Sequence, residues 1–278
     1  MNLLDQTKKI CKLYDIQPAR SKGQNFLIRE EVYDKIVEAA EIKKDEIVLE
    51  VGPGLGFLTA KLAKQAKKVI AVELDDKIAE TLKTALLLQK AENIEVINKN
   101  VLDIQVLASG YKIVANLPYN ITSVFLRKFL STEHRPELMV LMLQKEVAER
   151  IAAKPGQMSL LAVSVQFYAE AEIIQNVPAD NFWPAPKVDS AVIRIRIKSP
   201  QPPLLKGAFK EKDFFRLVKF GFGAKRKMLK NNLAGGYHIS QTEAAERIKK
   251  AGFDEKIRAQ ELSVVDWVRL LDNFNNFK

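Results

Sequence analysis

The feature that most constrains this chain is a regular alternation of short apolar runs and helical patterns between residues 46 and 143. Strand-like runs lie at 46–51, 69–73, 94–98, 112–115 and 138–143. Helical spacing of apolar residues lies between them at 57–66, 76–89 and 121–131. Short continuous apolar runs are typical of strands buried on both faces, and parallel strands need crossover helices. The alternation therefore predicts an α/β fold with a mostly parallel sheet.

The flanking segments extend this pattern. Two helical patterns, at 3–14 and 30–41, precede the alternation, with a basic polar loop between them. A helix at 144–153 and an apolar run at 159–168 follow it. A last strand at 191–197 alternates imperfectly, as an edge or half-exposed strand does, and we expect it to run antiparallel.

A proline cluster marks the predicted domain boundary. Three prolines, at 200, 202 and 203, interrupt both helix and strand, and beyond them only helical periodicity remains. These helical patterns lie at 211–220, 225–233, 241–251 and 261–273. We predict an α/β domain over 1–198 and a small all-helical domain over 199–278.

The charge distribution points to a polyanionic partner. The chain of 278 residues has 44 basic and 34 acidic side chains, hence a net charge of +10. Residues 206–230 include nine Lys or Arg but only two acidic residues, Glu211 and Asp213. This window therefore has a net charge of +7. A solvated helix face would explain such a window equally well.

Composition also excludes several classes of site. One cysteine permits no intramolecular disulfide, and two histidines leave little for zinc or triad chemistry, so we expect no metal. No run approaches the roughly 18 apolar residues that span a bilayer, and the first residues lack the pattern of a secretory signal. We therefore expect a cytoplasmic protein without a membrane partner.

A glycine-rich loop ends the first strand of the alternation. It reads Glu50-Val51-Gly52-Pro53-Gly54-Leu55-Gly56, and Glu73 ends the next strand. Such glycines let a ligand approach the backbone, and a later acid takes ribose hydroxyls. The dinucleotide version needs a third glycine where Phe57 stands, and Pro53 removes an N–H that a pyrophosphate would use. A ligand with an adenosine but no phosphates fits this loop better, and S-adenosylmethionine is the commonest cofactor of that kind. Alternatively, the glycines serve only a tight turn between strand and helix.

A second loop, Asn116-Leu117-Pro118-Tyr119, follows the strand at 112–115. Ligands of open α/β sheets bind at the carboxyl ends of strands, where this loop lies. Its amide can donate and accept hydrogen bonds, its proline stiffens the backbone, and its aromatic ring can stack on a base. In isolation the same residues are more often a turn.

The sequence resembles the KsgA/RsmA family of small-subunit ribosomal RNA adenine dimethyltransferases over nearly its whole length. The glycine loop alone is shared by many methyltransferases, whereas the residues around 182–190 and 222–233 are more specific. The matching stretches are 23–27, 50–56, 116–123, 143–150, 182–190 and 222–233.

The resemblance implies the fold of a Rossmann-like class I methyltransferase and a set of cofactor-binding residues. The set is Gln24, Asn25, Leu27, Glu50, Gly52, Gly54, Glu73, Asn100 and Asn116. Glu73 would accept from the ribose hydroxyls. Asn100 stands where the family usually has an aspartate that accepts from the cofactor's adenine amine, and an amide makes this bond without charge assistance. Asp103 is the less favoured substitute.

The resemblance also implies the chemistry of the second loop. The Asn116 side-chain oxygen and the Leu117 carbonyl, fixed by Pro118, would accept from the target amine, with Tyr119 and Phe182 against a flipped base. The implied substrate is two adjacent adenines in a hairpin loop near the 3′ end of 16S rRNA, each methylated twice during small-subunit biogenesis. The helical domain would bind this RNA, and the chain is expected to act as a monomer. The basic residues expected to contact RNA are Arg20, Lys22, Lys225, Arg226, Lys227 and Lys230.

Two other functions stay open from sequence. An Erm-type enzyme would act on large-subunit rRNA, but Leu117 and the wording of residues 182–190 disfavour it. A non-catalytic RNA-binding assembly factor is disfavoured by Glu73 and Asn116, while Asn100 keeps it open.

Overall fold

The computed structural model describes residues 1–18, 23–105, 107, 110–118, 121–198 and 211–274. The chain divides into two compact units: Met1–Ala148 with Ala171–Ile197, and Glu149–Glu170 with Lys198–Lys278. The second unit thus includes residues 149–170, which the sequence pattern assigned to the first domain. None of the helices in the described ranges is both long and apolar enough to cross a membrane.

The first unit is built on a seven-stranded sheet. Its strands and those of a small ribbon are β1 (Phe26–Leu27), β2 (Ile47–Val51), β3 (Lys68–Glu73), β4 (Ile94–Asn98), β5 (Tyr111–Asn116), β6 (Leu138–Gln144), β7 (Ala169–Val177), β8 (Phe182–Trp183) and β9 (Ser190–Ile197). The sheet has the order β4-β3-β2-β5-β6-β9-β7, and β1 pairs with β8 in the separate ribbon. The strands from β4 to β6 pair in parallel and β9 runs antiparallel to β6, which confirms the predicted fold class.

Helices connect these strands. They are α1 (Leu3–Leu13), α2 (Glu30–Ala40), α3 (Phe57–Ala63), α4 (Asp76–Leu88), α5 (Thr122–Leu130), α6 (Lys145–Ile151) and α7 (Leu160–Gln166). Asp75 caps the start of α4 by accepting from the Ile78 amide at 3.2 Å. The cap fixes the turn between β3 and α4, which is one wall of the site described below.

The outer part of the sheet corrects one prediction. The strand β9 was expected at an edge, yet Val192, Ile193 and Ile195 are fully buried because β7 lies outside it. The pattern of β7 mixes half-buried and exposed residues, including Glu170 and Glu172, and gives no clean alternation. An edge strand with one solvent-exposed face is therefore harder to recognise from sequence than the buried strand beside it.

The second unit is helical in its described part beyond 198. Its helices there are α8 (Glu211–Gly221), α9 (Leu229–Tyr237), α10 (Gln241–Lys250) and α11 (Val264–Leu271). Phe214 stacks on Phe167 of the same unit with ring centroids 4.4 Å apart. Helix α9 begins four residues later than the pattern at 225–233 indicated, because Met228 has extended backbone and ends the preceding turn.

Candidate active site

A cavity opens at the carboxyl ends of β2, β3 and β5. It brings together seven residues that the sequence predicted, from four separate segments of the chain. The lining consists of Gly23, Gln24, Asn25, Phe26, Gly52, Gly54, Glu73, Leu74, Asp75, Ile78, Asn116 and Pro118. The glycine loop and the second loop therefore form one site, as the shared sheet edge predicts.

Positive backbone angles allow the glycine loop to pass close to β5. Gly52 has φ +69° and its N–H donates to the Val72 carbonyl at 3.0 Å. A Cβ at this position would lie 3.3 Å from the Asn116 carbonyl oxygen. The missing side chain thus keeps the floor of the cavity open where the two loops meet. The part of the cavity around Gly52 and Gly54 is called the cradle below.

Glu73 is a buried carboxylate held by backbone donors. Its oxygens accept from the Asp75 amide at 3.0 Å and from the Gly54 amide at 3.3 Å. Burial raises the pKa of Glu73, and these two hydrogen bonds offset part of that effect. The carboxylate is therefore fixed in orientation, and each of its oxygens retains a lone pair for a hydroxyl donor.

Glu50 lies one strand away in a different state. It is 1% exposed, and both carboxylate oxygens lack a hydrogen bond of regular geometry within the described part of the chain. Burial raises the pKa of Glu50 to about 8, the nearby Thr59 hydroxyl lowers it only in part, and Glu73 raises it further. A buried carboxyl without a partner, beside an open cradle, is suited to a ligand that carries positive charge.

The loop after β4 is closed by its own side chains. The Asn100 side-chain oxygen accepts from the Leu102 amide at 2.9 Å, and the Asn100 carbonyl accepts from the Asp103 amide at 2.9 Å. From α5, the Lys128 ammonium donates to the Leu102 carbonyl at 2.7 Å and to the Ile104 carbonyl at 2.6 Å. Burial lowers the pKa of Lys128. Asn100 is not part of the cavity lining, and its oxygen keeps one further lone pair.

Asn116 is the last residue of β5 and pairs in register with Met142. The next residue, Leu117, donates its amide to the Met142 carbonyl at 3.2 Å and buries its side chain. This anchor fixes the backbone on which Asn116 and Pro118 reach the cavity. Tyr119 lies outside the described residues, as do Arg20 and Lys22.

Two predicted site residues belong instead to the hydrophobic core. Leu27 and Phe182 pair across the β1–β8 ribbon and are 1% and 4% exposed. The Phe182 ring packs in a cluster with Leu27 and Val32, so it has no free face for a base in this arrangement. Side chains alternate along a strand, and Phe26 rather than Leu27 therefore lines the cavity.

Several lining residues were not identified from sequence. Leu74 is 65% exposed at the cavity although it follows a buried strand. The Asp75 side chain accepts from the Gln24 amide at 3.3 Å and so links the first loop to the start of α4. The order Glu73-Leu74-Asp75 could have identified Leu74 from sequence. An apolar residue between the acid that ends a strand and the residue that caps a helix lies in a turn, where it is not buried in the core.

The predicted RNA-binding residues of the helical unit lie at one turn. Lys225, Arg226 and Lys227 are exposed between α8 and α9, whereas Lys230 is partly buried and pairs with Glu255 at 3.6 Å. The Asn232 side chain donates to the Gly221 carbonyl at 2.7 Å and to the Ala224 carbonyl at 3.0 Å. This buried amide holds the turn that presents the three exposed cations.

Metal ligands do not cluster at the cavity. Among residues 1–18, 23–105, 107, 110–118, 121–198 and 211–274, no group of three or more His, Cys, Asp or Glu side chains is arranged to hold an ion.

Comparison with known proteins places this geometry in a family. Residues 17–276 match the family described as Ribosomal RNA adenine dimethylase. The Ribosomal RNA small subunit methyltransferase A of Dehalococcoides mccartyi is 42% identical over 274 residues, covering 97% of this chain and 92% of the relative. The protein of the same description from Clostridioides difficile is 38% identical, covering 98% and 96%.

Solved structures of related enzymes share the fold of this chain. The 23S rRNA methyltransferase ErmE superimposes with a TM-score of 0.75 at 30% identity, covering 91% of this chain and all of that one. A dimethyladenosine transferase from Plasmodium falciparum gives 0.77 at 29% identity, covering 90% and 97%.

These matches confirm the resemblance found in the sequence, the enzyme class of an rRNA adenine dimethyltransferase, and S-adenosylmethionine as the methyl donor. The chain belongs to the ribosomal RNA adenine dimethylase family.

Proposed function

We propose that this enzyme transfers methyl groups from S-adenosylmethionine to the N6 amines of two adjacent adenines in a hairpin loop near the 3′ end of 16S rRNA. It does so as a monomer in the cytoplasm, on an immature small ribosomal subunit. The observation that carries the proposal is the meeting of Asn116 and Pro118 with the glycine loop and Glu73 in one cavity. The residues expected to bind the methyl donor and an amide suited to bind a base amine thus line a single cavity.

The residues around the cradle are suited to hold the donor. Gly52 and Gly54 leave its floor open, and the Glu73 oxygens have lone pairs to accept from ribose hydroxyls. Glu50 provides a buried carboxyl with no ionic partner among the described residues, which a cationic ligand would keep ionised. Asn100 would accept from the donor's adenine amine through its remaining lone pair. When bound, S-adenosylmethionine supplies a methyl group already activated by its sulfonium.

The chemistry left to the protein is to prepare and position the target amine. The lone pair of an adenine N6 is delocalised into the ring, which makes it a poor nucleophile. Hydrogen bonds accepted by the Asn116 side-chain oxygen and the Leu117 carbonyl favour a pyramidal nitrogen with its lone pair free. The Leu117 amide is already anchored to β6, so these acceptors are positioned before the base arrives.

Proton removal needs no dedicated base. Methylation makes the nitrogen acidic, and solvent can then take the proton. The Glu50 carboxyl is buried beside the donor cradle and is not required for this step. Positioning and electrostatics therefore account for the activity that these residues support.

Substrate access favours unpaired adenines, because moving a base out of its stack costs about a few kcal/mol. Tyr119 would stack on the extruded base. The exposed Lys225, Arg226 and Lys227 would contact phosphates of the folded RNA. The small-subunit relatives support 16S rather than 23S rRNA, since they are more similar to this chain than ErmE is.

The test uses small subunits from cells that lack these methyl groups. Incubation with the protein and methyl-labelled S-adenosylmethionine should yield N6,N6-dimethyladenosine in 16S rRNA. Asn116→Ala should reduce the rate about 10²- to 10³-fold, as loss of one preorganised polar group typically does. Label on large-subunit RNA alone would overturn the assignment, and donor binding without any transfer would indicate a non-catalytic assembly factor.

A further inference from the structure

A second groove lies next to the β1–β8 ribbon, and its lining shares no residue with that of the donor cavity. Helix α1 forms one side of it and the partly exposed Trp183 of β8 forms the other. Its volume is about 430 Å³, and its lining includes Lys8, Cys11, Lys12, Ile16 and Trp183. The groove thus combines an aromatic wall with two cationic side chains.

The groove and the donor cavity share a hydrophobic wall. Cys11 and Ile16, which line the groove, form one buried cluster with Phe26 and Ile78, which line the donor cavity. Trp183 packs against this cluster and pairs in register with Phe26. Any chain that occupies the groove therefore lies one layer of side chains away from the donor cavity.

The charges of the groove favour an anion. Lys8 and Lys12 are exposed and stand one helical turn apart, so both reach the same edge of α1. Asp15 is the acidic residue of the lining, and the Lys77 ammonium pairs with its carboxylate at 2.8 Å. With Asp15 compensated, Lys8 and Lys12 leave the groove positive.

We propose that this groove binds an unpaired nucleotide of the substrate RNA close to the target adenines. The base stacks on the Trp183 indole, and Lys8 and Lys12 contact the adjoining phosphates. Aromatic faces combined with basic side chains are how proteins hold single-stranded nucleic acid. A duplex fits poorly because its bases are not free to stack. The role rests on the proposed function, since it assumes an RNA substrate.

Tryptophan fluorescence gives a direct test that is independent of methyl transfer. The chain has two tryptophans, and Trp267 is fully buried, so a stacking base reaches Trp183. Titration with a single-stranded decaadenylate RNA should quench emission in a saturable manner. Trp183→Phe keeps a ring in the cluster and should abolish the quench, whereas Trp183→Leu should also weaken affinity about ten-fold, as loss of a stacked base does.

The lysines are tested by salt dependence, with a matched control on the same helix. Lys8→Gln combined with Lys12→Gln should lower the slope of log affinity against log salt by about 1.4, from two lost phosphate contacts. Lys9→Gln changes an exposed lysine outside the groove lining and should have a much smaller effect. No quench with bound RNA, or an equal loss in Lys9→Gln, would overturn the proposal.

Methylation assays separate this proposal from the assigned function. In the Trp183→Leu protein, the KM for undermethylated small subunits should rise about ten-fold while the KM for S-adenosylmethionine stays unchanged. If wild-type protein methylates the subunits and the variant has the wild-type KM, the groove has no role and the function stands. If wild-type protein transfers no methyl groups yet shows the fluorescence quench, RNA binding in the groove is supported and the proposed methyltransferase function is overturned.

Discussion

The ends of two paired strands, β3 and β4, hold their polar side chains by different means. At the end of β3, Glu73 is buried, and its orientation comes from the amides of Gly54 and Asp75. After β4, Asn100 is neutral, partly exposed, and occupied with the Leu102 amide of its own turn. The first end depends on side-chain contacts between distant segments. The second depends on hydrogen bonds within its own turn, on the Lys128 ammonium, and on the Lys99 amide, which donates to the Glu73 carbonyl at 3.1 Å.

The difference indicates where this enzyme tolerates change. The Glu73 carboxylate accepts from both the Gly54 and the Asp75 amide, so its replacement disturbs a contact that two loops share. The turn after β4 needs an acceptor for the Leu102 amide, which either an amide or a carboxylate oxygen provides, and Lys128 holds the carbonyls that follow. An asparagine is therefore compatible with this turn, at the position where the resemblance leads us to expect an aspartate.

The largest effect is expected from Glu73→Gln. The new amide group must face either the Gly54 or the Asp75 amide, so one donor opposes another and one backbone N–H loses its acceptor. Hydrogen bonds to charged groups contribute about 1.5–3 kcal/mol, so the affinity for S-adenosylmethionine should fall about 10- to 100-fold. Calorimetry measures this directly. Glu92→Gln, at an exposed position, is the control, and equal affinity in both variants would remove the distinction between the two strand ends.

An intermediate effect is expected from Glu50→Gln on the pH dependence of stability. The folded-state pKa of Glu50, about 8, lies above the ordinary value of 4.5, so unfolding releases a proton between these values. The stability of the ligand-free protein should therefore decline as pH rises through this window, and the decline should be weaker in Glu50→Gln. Thermal unfolding midpoints from pH 5 to pH 8.5 test this. A decline of equal size in the variant would show that another group is responsible.

The smallest effect is expected from Asn100→Asp. The turn should persist, since a carboxylate also accepts from the Leu102 amide, and the added charge strengthens the bond to the donor's adenine amine. We expect affinity for S-adenosylmethionine to increase about two- to five-fold. Asp103→Asn, at an exposed neighbour, should leave affinity unchanged. Unchanged or weaker binding by Asn100→Asp would place the adenine contact elsewhere.

The sheet was predictable because its strands are continuous apolar runs. The runs at 69–73, 94–98 and 112–115 agree with β3, β4 and β5 to within one residue at either end. The strand β7 and the two-residue ribbon of β1 and β8 were missed. Their pairing joins distant segments and leaves little periodicity in either.

The site residues likewise divide into those that local sequence identified and those whose position depends on pairing between distant segments. Glycines at 52 and 54, the acid at 73 and the amide at 116 are chemically distinctive and lie where strands end, so sequence alone brought them together. Leu27 and Phe182 were assigned to the site through the resemblance alone, and the β1–β8 ribbon directs both side chains into the core. Which face of a two-residue strand meets a cavity depends on its partner, and no local pattern contains that information.

The sequence by itself determined the class of fold, the family and the identity of the donor loop, because periodicity and residue type carry them. Only the tertiary structure decided that Phe26 rather than Leu27 lines the cavity, that Glu50 is fully buried, and that Lys128 holds the turn of Asn100. The physical reason is that burial, and the pairing of groups distant in sequence, are properties of the packed chain.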